Sequence, residues 1–437
     1  MRATFTGRWF ALSIISLGIG GSFAFLIGMS RMPFASKFLP ENYFKHALVG
    51  HVDLAILCWL MLSAVVLWSY YFKTPTTDSL EISFPFAIAG VAMVAFSALF
   101  GIGEPVLNNY VPTIVHPLFF IGLALFFAAF SMNVFRYLGQ AYKGIPSDDM
   151  TVNALSIGVF VSVVMIIAVG VSLALIGVKG EGMHQQAFYE RLFWTPGHIQ
   201  QILNGAMLVA VWHALLKIST PGEIKLWGFL KGANKWLVVS ALVLLGMSFV
   251  FDPLHPYSRI GAEIVYALGL GIPLFLHIAN IFLRMKFDYK SPASVALLFS
   301  MLIYLFGVFI AYAGFHNDTR VPAHYHGAVT ALTLGLMGFA YHMMVGYKMR
   351  ISMPGVAKFQ PYLYGVGMFM FIMGLFISGI FGAPRKTFGV DWTDNPAVLA
   401  SLTLMGVGTL LAVIGGALFV LYAGLTLVRE RKLESGL

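Results

Sequence analysis

Residues 152–178 read VNALSIGVFVSVVMIIAVGVSLALIGV, a run of apolar and small side chains without a single charge. A helix needs about 17–25 such residues to cross the ~30 Å hydrocarbon core of a membrane, so this segment is long enough to span it. Backbone groups in lipid must be hydrogen-bonded internally, and the run shows no period-two alternation. A transmembrane helix is therefore predicted, and a β-barrel strand is not.

Comparable apolar runs recur along the chain and predict twelve transmembrane helices. The predicted spans are 9–30, 46–72, 83–101, 113–137, 152–178, 195–217, 236–252, 258–285, 293–314, 322–347, 362–384 and 396–427. The composition agrees, because 10% of the 437 residues are charged, against about 25% in soluble domains. Short loops separate the runs, and the first run is too long for the apolar part of a signal peptide. We expect an all-α integral membrane protein whose residues 1–437 form a single polytopic domain without a soluble domain.

The distribution of the basic side chains predicts how the chain is oriented in the membrane. With the N-terminus in the cytoplasm, 18 of the 27 Lys and Arg residues fall on the inner side, so both termini are predicted to be cytoplasmic in a prokaryotic-type inner (plasma) membrane. The net charge of +9 is explained by this bias, and no nucleic-acid partner is expected. The single cysteine, Cys58, excludes a disulfide framework, a zinc knuckle and an iron–sulfur cluster.

Histidines are numerous for so apolar a chain, and the predicted orientation gathers nine of the twelve toward the outer side. These nine are His46, His51, His116, His184, His198, His255, His316, His324 and His326. His213, His277 and His342 lie toward the inner side and are expected to hydrogen-bond between helices. A one-sided group of imidazoles from several helices is typical of buried metal or heme centres, because neutral imidazole survives burial.

The most informative segment is His316-Asn-Asp-Thr-Arg-Val-Pro-Ala-His324-Tyr-His326-Gly, at the start of the tenth predicted helix. Residues two apart on a helix are separated by about 200°, so His324 and His326 project on opposite sides and do not chelate one metal. They are placed to serve two prosthetic groups. The alternative is one interfacial histidine and one histidine in a helix–helix hydrogen bond.

This segment resembles the part of subunit I of the heme-copper oxidase superfamily that ligates the high-spin and low-spin hemes. Two further segments agree. The stretch His51-Val-Asp-Leu-Ala-Ile-Leu-Cys-Trp-Leu resembles the family's second helix, in wording closest to the nitric oxide reductase branch, and Phe-Trp-Thr-Pro-Gly-His198 resembles the start of its sixth helix. The helix count, motif order and sidedness match over nearly the whole chain, which implies the twelve-helix bundle of that family.

The resemblance implies roles for individual residues. His51 and His326 would be the axial ligands of a low-spin heme, with His46 as the competing ligand, and His324 the proximal ligand of a high-spin heme. His198 would be the first ligand of a non-heme metal, and His324 and His198 the catalytic pair. Both hemes are taken as b-type. Arg31, Arg259 and Arg320 are expected to pair with heme propionates, and Asp318 and His316 to bridge propionates or to bind an outer divalent ion.

The chain departs from the family at the non-heme metal. The family supplies two adjacent histidines from helix seven, which this chain lacks near 246–249, and His255 falls in a loop bounded by Pro253 and Pro256. The position of the family's tyrosine or glutamate, four residues after His198, is Ile202. A complete copper or non-heme iron site is therefore not expected, and Tyr257 or Tyr266 is the alternative source of a phenol.

The expected function is a respiratory-chain heme oxidoreductase that passes electrons from an outer-side donor through a low-spin heme to a high-spin heme that reduces O2 or NO. The expected donor is a cytochrome c or cupredoxin-like subunit, because no donor domain is present. The alternatives are a divergent member without the non-heme metal, acting in electron transfer or gas binding, and a nitric oxide dismutase-like enzyme. Weak or absent proton pumping is expected, with Asp53 or Glu263 assisting proton delivery from the outer side.

Overall fold

The computed structural model describes residues 4–33, 35–36, 40–72, 82–179, 182–220, 222, 225–314, 317–349 and 354–434. Within these ranges the chain forms twelve long helices, numbered α1–α12 in chain order. Their bounds are Phe5–Ser30, Glu41–Phe72, Ser83–Leu99, Pro117–Gly144, Met150–Lys179, Gln185–Ser219, Leu230–Val250, Pro256–Arg284, Pro292–Tyr312, Arg320–Gly346, Pro354–Ile380 and Pro396–Glu434. Eleven of these described helices are long and apolar enough to span a membrane, and α3 is a shorter apolar helix. The predicted bundle of twelve helices is confirmed.

Several helices extend beyond the apolar runs that predicted them. Helix α6 begins at Gln185, whereas the apolar run predicted a start near 195. The extra turns are polar, and their side chains find partners: Glu190 accepts hydrogen bonds from Asn109, and Arg191 pairs with Asp252 at 2.9 Å. Such helix ends reach past the hydrocarbon layer, where polar side chains are tolerated.

Three of the predicted outer histidines cap helices. His116, His184 and His255 precede α4, α6 and α8, and Nδ1 of each accepts a hydrogen bond from the backbone N–H two residues later, at 3.2–3.3 Å. In α4 and α8 a proline follows the histidine, at a position whose missing N–H costs the helix nothing. These three imidazoles satisfy helix ends and give no sign of a common metal site.

Helices α2 and α8 each contain one π-helical turn, at Asp53–Cys58 and Tyr266–Gly271. A π turn inserts an extra residue into the helix, and such turns occur frequently at functional sites. The first begins two residues after His51, and the second begins at Tyr266. Both π turns therefore lie beside residues singled out from the sequence.

A short β-hairpin lies between α3 and α4. Strands β1 (Glu104–Val106) and β2 (Thr113–Val115) pair antiparallel, with Val106 opposite Thr113. Strands of three residues are too short for a period-two pattern to be recognised, so this hairpin is not predictable from hydropathy. The loop between the strands carries Tyr110, whose backbone φ of 63° lies in the left-handed region.

The chain divides into two compact units. The first comprises Met1–Trp59, Leu215–Pro221 and Lys286–Leu437, and the second comprises Leu60–Ala214 and Gly222–Met285. In the first unit the buried α10 packs against α9. In the second, Trp68 packs on Phe130 and Tyr137 with ring centres 5.8 and 6.4 Å apart. The interpretation of 1–437 as a single domain stays a prediction.

Candidate functional site

Two imidazoles from different helices face each other in the first unit. His51 of α2 and His326 of α10 have ring centres 6.2 Å apart, and their planes are within 9° of parallel. His46, the competing ligand on α2, stacks on Tyr43 at 6.4 Å instead. The structure therefore brings His51, and not His46, to His326.

Backbone carbonyl groups hold both imidazoles through Nδ1. His51 Nδ1 lies 3.1 Å from the carbonyl oxygen of Gly20 in α1, and His326 Nδ1 lies 2.7 Å from that of Pro322. A carbonyl oxygen only accepts hydrogen bonds, so Nδ1 carries the proton and Nε2 keeps its lone pair. Metal-binding histidines generally have this tautomer and this second contact.

The spacing of His51 and His326 fits an iron ion between them. Imidazole nitrogens bind first-row metal ions at about 2.0–2.1 Å and lie about 1.1 Å from the ring centre, so two imidazoles on opposite sides of one ion have centres about 6.3 Å apart. The measured separation is 6.2 Å. Both rings are only partly buried between packed helices. The pair therefore fits the axial ligands of a heme.

His324 also belongs to the first unit and lies on the opposite side of α10 from His326, since residues two apart on a helix are separated by about 200°. Its Nδ1 lies 2.8 Å from the carbonyl oxygen of Gly307 in α9, so Nε2 is again the nitrogen with a lone pair. This contact depends on a close approach of the two helices. A Cβ atom at Gly307 would lie 2.8 Å from Gly327 Cα.

A buried arginine without an ion pair among the described residues follows α1. The Arg31 side chain is 6% exposed, its Nη2 donates to the carbonyl oxygen of Pro384 at 2.9 Å, and its Nε has no hydrogen-bond partner within the described chain. Burial lowers the pKa of Arg31 to about 10, which leaves the guanidinium charged at neutral pH. A buried charge is costly unless it is paired, so Arg31 is suited to an anionic group of a bound molecule.

The other polar groups assigned to the cofactor have different surroundings. Arg320 is already paired with Asp318, at 2.6 Å between Nη2 and Oδ2. Arg259 lies in the second unit, exposed, with its guanidinium 6.0 Å from the centre of the Trp194 ring. His316 lies outside the described residues.

His198 of α6 lies in the second unit, and both of its ring nitrogens are hydrogen-bonded. Nδ1 lies 2.7 Å from the carbonyl oxygen of Trp194, and Nε2 lies 2.8 Å from the phenol oxygen of Tyr110. The Tyr266 phenol donates to the carbonyl oxygen of His198 at 3.1 Å, and its ring centre is 5.2 Å from the imidazole. We call His198, Tyr110, Tyr266 and Trp194 the His198 centre.

Of the two tyrosines considered from the sequence, only Tyr266 reaches His198. Tyr257 packs against His255, with ring centres 4.9 Å apart, and is 62% exposed. Tyr110 was missed, because nothing in the sequence marks a loop tyrosine 88 positions before His198 as its partner.

The remaining predicted residues are distributed as follows. Ile202 is fully buried one turn after His198. Asp53 is fully buried, and neither carboxylate oxygen has a hydrogen-bond partner in the part of the chain described, so His51 is oriented by Gly20 and not by Asp53. Glu263 is exposed on α8.

Two of the three inner histidines, His213 and His277, hydrogen-bond between helices as predicted. His213 Nε2 lies 2.9 Å from His277 Nδ1, and His277 Nε2 donates to the Asn234 side-chain oxygen at 2.9 Å. These contacts tie α6, α7 and α8 of the second unit together. His342 is exposed on α10.

The chain is similar to one protein family and to two proteins from bacteria. Residues 4–418 match the family described as Cytochrome C and Quinol oxidase polypeptide I. An uncharacterized protein of Aquifex aeolicus (strain VF5) is 34% identical, over 81% of this chain and 88% of its own length. An uncharacterized protein of Rickettsia prowazekii (strain Madrid E) is 26% identical, over 98% and 97% of the two chains.

A solved structure has the same fold. The cryo-EM structure of a heme-copper terminal oxidase dimer superposes with a TM-score of 0.74 at 17% identity, covering 96% of this chain and 84% of the other. The twelve-helix architecture is therefore that of heme-copper oxidase subunit I.

Proposed function

Since the chain belongs to the Cytochrome C and Quinol oxidase polypeptide I family, whose members are membrane-embedded heme oxidoreductases, we propose that it reduces a diatomic gas, O2 or NO. In this proposal His51 and His326 hold a low-spin heme, and His324 holds a high-spin heme. Both hemes are b-type. Electrons come from a cytochrome c or cupredoxin-like subunit on the outer side.

The observation that carries the proposal is the His51–His326 pair. With Nδ1 protonated and ring centres 6.2 Å apart, the two imidazoles would hold one heme through Nε2, and a heme held by two imidazoles would supply electron transfer. His324 would hold a second heme alone, and a heme with one protein ligand would supply gas binding. Arg31 is the proposed partner of a heme propionate.

The proposed location is a prokaryotic-type inner (plasma) membrane with both termini in the cytoplasm. The two-to-one bias of Lys and Arg toward one side supports this orientation. The same orientation puts the first turns of α10, and with them His324 and His326, toward the outer side, where the donor subunit binds.

A second candidate is a divergent member that transfers electrons or binds gas without turnover, or a nitric oxide dismutase-like enzyme. It is favoured by one observation: among the described residues no group of three His, Cys, Asp or Glu side chains is placed to hold a metal ion. Gas electrodes separate the candidates. Sustained O2 or NO consumption by the purified, donor-reduced protein supports gas reduction. Release of O2 from NO supports dismutation. A protein that contains two hemes and shows neither activity supports the member without turnover.

Replacing Gly307 with Ala is expected to weaken retention of the high-spin heme by about 10- to 100-fold, the usual effect of disturbing the second contact of a metal-binding histidine. The added Cβ would push α9 away from Gly327 and move the carbonyl group that holds His324. Gly355→Ala is the matched control, because nothing lies within 4 Å of a Cβ there. The CO difference spectrum measures the heme, and an unchanged CO-binding heme in Gly307→Ala would contradict the role of this contact.

Replacing Arg31 with Leu is expected to weaken heme retention by about 10- to 100-fold, corresponding to the loss of one charge-assisted hydrogen bond of about 1.5–3 kcal/mol. Arg320→Leu should have a smaller effect, because Arg320 already has Asp318 as its partner. Heme content per chain, measured as the pyridine hemochrome after dilution and gel filtration, checks this ordering. An effect of Arg320→Leu as large as that of Arg31→Leu would argue against Arg31 as the propionate partner.

A further inference from the structure

We propose that His198 binds no metal ion, and that the Tyr110 phenol occupies the imidazole nitrogen that the copper of a heme-copper oxidase would require. The inference deepens the proposed function and rests on it for the family membership that makes His198 a candidate metal ligand. The contacts that support this inference all lie within the second unit.

Both nitrogens of His198 are accounted for. The carbonyl oxygen of Trp194 accepts from Nδ1, so Nδ1 is protonated and Nε2 is the only nitrogen available to a metal. The Tyr110 phenol donates to that nitrogen at 2.8 Å, and its ring centre lies 4.6 Å from the imidazole. A metal ion at Nε2 would have to displace the phenol.

Tyr110 is held in position by the loop that carries it. Its backbone φ of 63° is uncommon for a bulky residue and persists only where the surroundings fix it. The neighbouring Asn109 is fixed by Glu190 of α6, whose carboxylate accepts from the Asn109 backbone N–H at 2.9 Å and from its side-chain amide. Glu190 is 7% exposed. The hairpin loop is thus anchored to the same helix that carries His198.

Helix α6 is shaped to receive the phenol ring. A Cβ atom at Gly197 would lie 2.3 Å from the Tyr110 ring, so only glycine at this position lets the ring reach His198. Trp194 packs edge-on against the same ring, with centres 6.1 Å apart. The fit of ring, glycine and tryptophan shows that the Tyr110–His198 contact is built into the packing of α6.

The donors around His198 do not form a copper site. A cavity of about 10 Å³, roughly the space of one water molecule, adjoins the imidazole. Met247 and Ser248 line it, within the stretch 246–249 where the resemblance seen in the sequence implies the two missing histidines, and Leu244 and Phe251 also line it with apolar side chains. A copper site of this type needs further imidazoles beside His198. His255 does not provide one, because it is exposed at the start of α8.

The His198 centre therefore presents a neutral network of two phenols and one imidazole in place of a fixed cation. Tyr110 donates to the imidazole, and Tyr266 donates to the backbone carbonyl of the same residue. The adjoining cavity has room for about one water molecule. Since each phenol proton is already donated to His198, the centre offers phenol oxygens that accept hydrogen bonds, and no Lewis acid.

Metal analysis of the heme-loaded protein tests the inference. Cells are grown with added copper and iron, and copper, iron, zinc and manganese are counted per chain by mass spectrometry in the wild type and in His198→Gln. Equal metal content in the two proteins, with all iron accounted for as heme, is the expected result. One additional metal per wild-type chain that is missing from His198→Gln would overturn the inference.

The phenol contact has its own readout, which does not depend on activity. With ring-¹³C-labelled tyrosine, one infrared C–O band is expected to disappear in Tyr110→Phe and to shift in His198→Gln, and to stay unchanged in the control Tyr257→Phe. A tyrosine spectrum that is identical in wild type and His198→Gln would overturn the assignment of Tyr110. Preparations without heme would contradict the proposed function alone, because both measurements are normalised to protein.

Discussion

Replacing His324 with Ala is expected to abolish the CO-binding heme and all gas-reducing turnover, while the low-spin heme remains. His324 is the only protein ligand proposed for the high-spin heme, so its loss removes the iron–protein bond outright. The low-spin heme survives because His326 lies on the opposite side of α10 and is tied to Pro322 within its own helix. The effect should therefore be complete for one heme and small for the other.

Reduced-minus-oxidised and CO difference spectra of the purified variant measure the two hemes separately. His342→Ala is the matched control, because His342 lies on the same helix and is exposed. Disappearance of both hemes together in a folded variant, or of neither, would contradict the division of roles between His324 and His326.

Replacing His51 with Ala is expected to remove the low-spin heme and to stop electron delivery from the donor subunit. The remaining imidazole of the pair, His326, would provide one axial ligand only, and a six-coordinate low-spin iron requires two. The CO-binding heme held by His324 should remain. Turnover with a strong chemical reductant should exceed turnover with the protein donor, because only the latter needs the low-spin heme.

Electron paramagnetic resonance of the oxidised protein checks this directly, since the low-spin signal should vanish in His51→Ala. His46→Ala serves as the control on the same helix, where the imidazole stacks on Tyr43 and not on His326. If His46→Ala removed the low-spin signal and His51→Ala preserved it, the ligand assignment would be wrong.

The helices could be predicted from the sequence because apolar runs of membrane-spanning length leave the backbone no other economical structure. Their ends could not. Helix α6 begins at Gln185, where Glu190 and Arg191 find partners in Asn109 and Asp252 from distant parts of the chain. Hydropathy contains no information on such partners, so the predicted boundary followed the apolar run.

At the candidate site, resemblance selected the imidazoles and the structure supplied their second contacts. The choice between His46 and His51 follows from which ring faces His326, a matter of helix packing. Tyr110 could not be predicted as a partner of His198, because it comes from a hairpin whose strands have only three residues each. The candidate arginines looked alike in sequence and differ in burial and partner, which only the structure gives.

One short stretch of α10 is proposed to hold two hemes, one through His324 and the other through His326. Pyridine hemochrome analysis together with CO titration of the purified, folded protein tests this proposal. Two hemes per chain are expected, of which one binds CO and the other has bis-imidazole low-spin spectra. A folded preparation that contains no heme, or a single heme that is lost in both His324→Ala and His51→Ala, would contradict it.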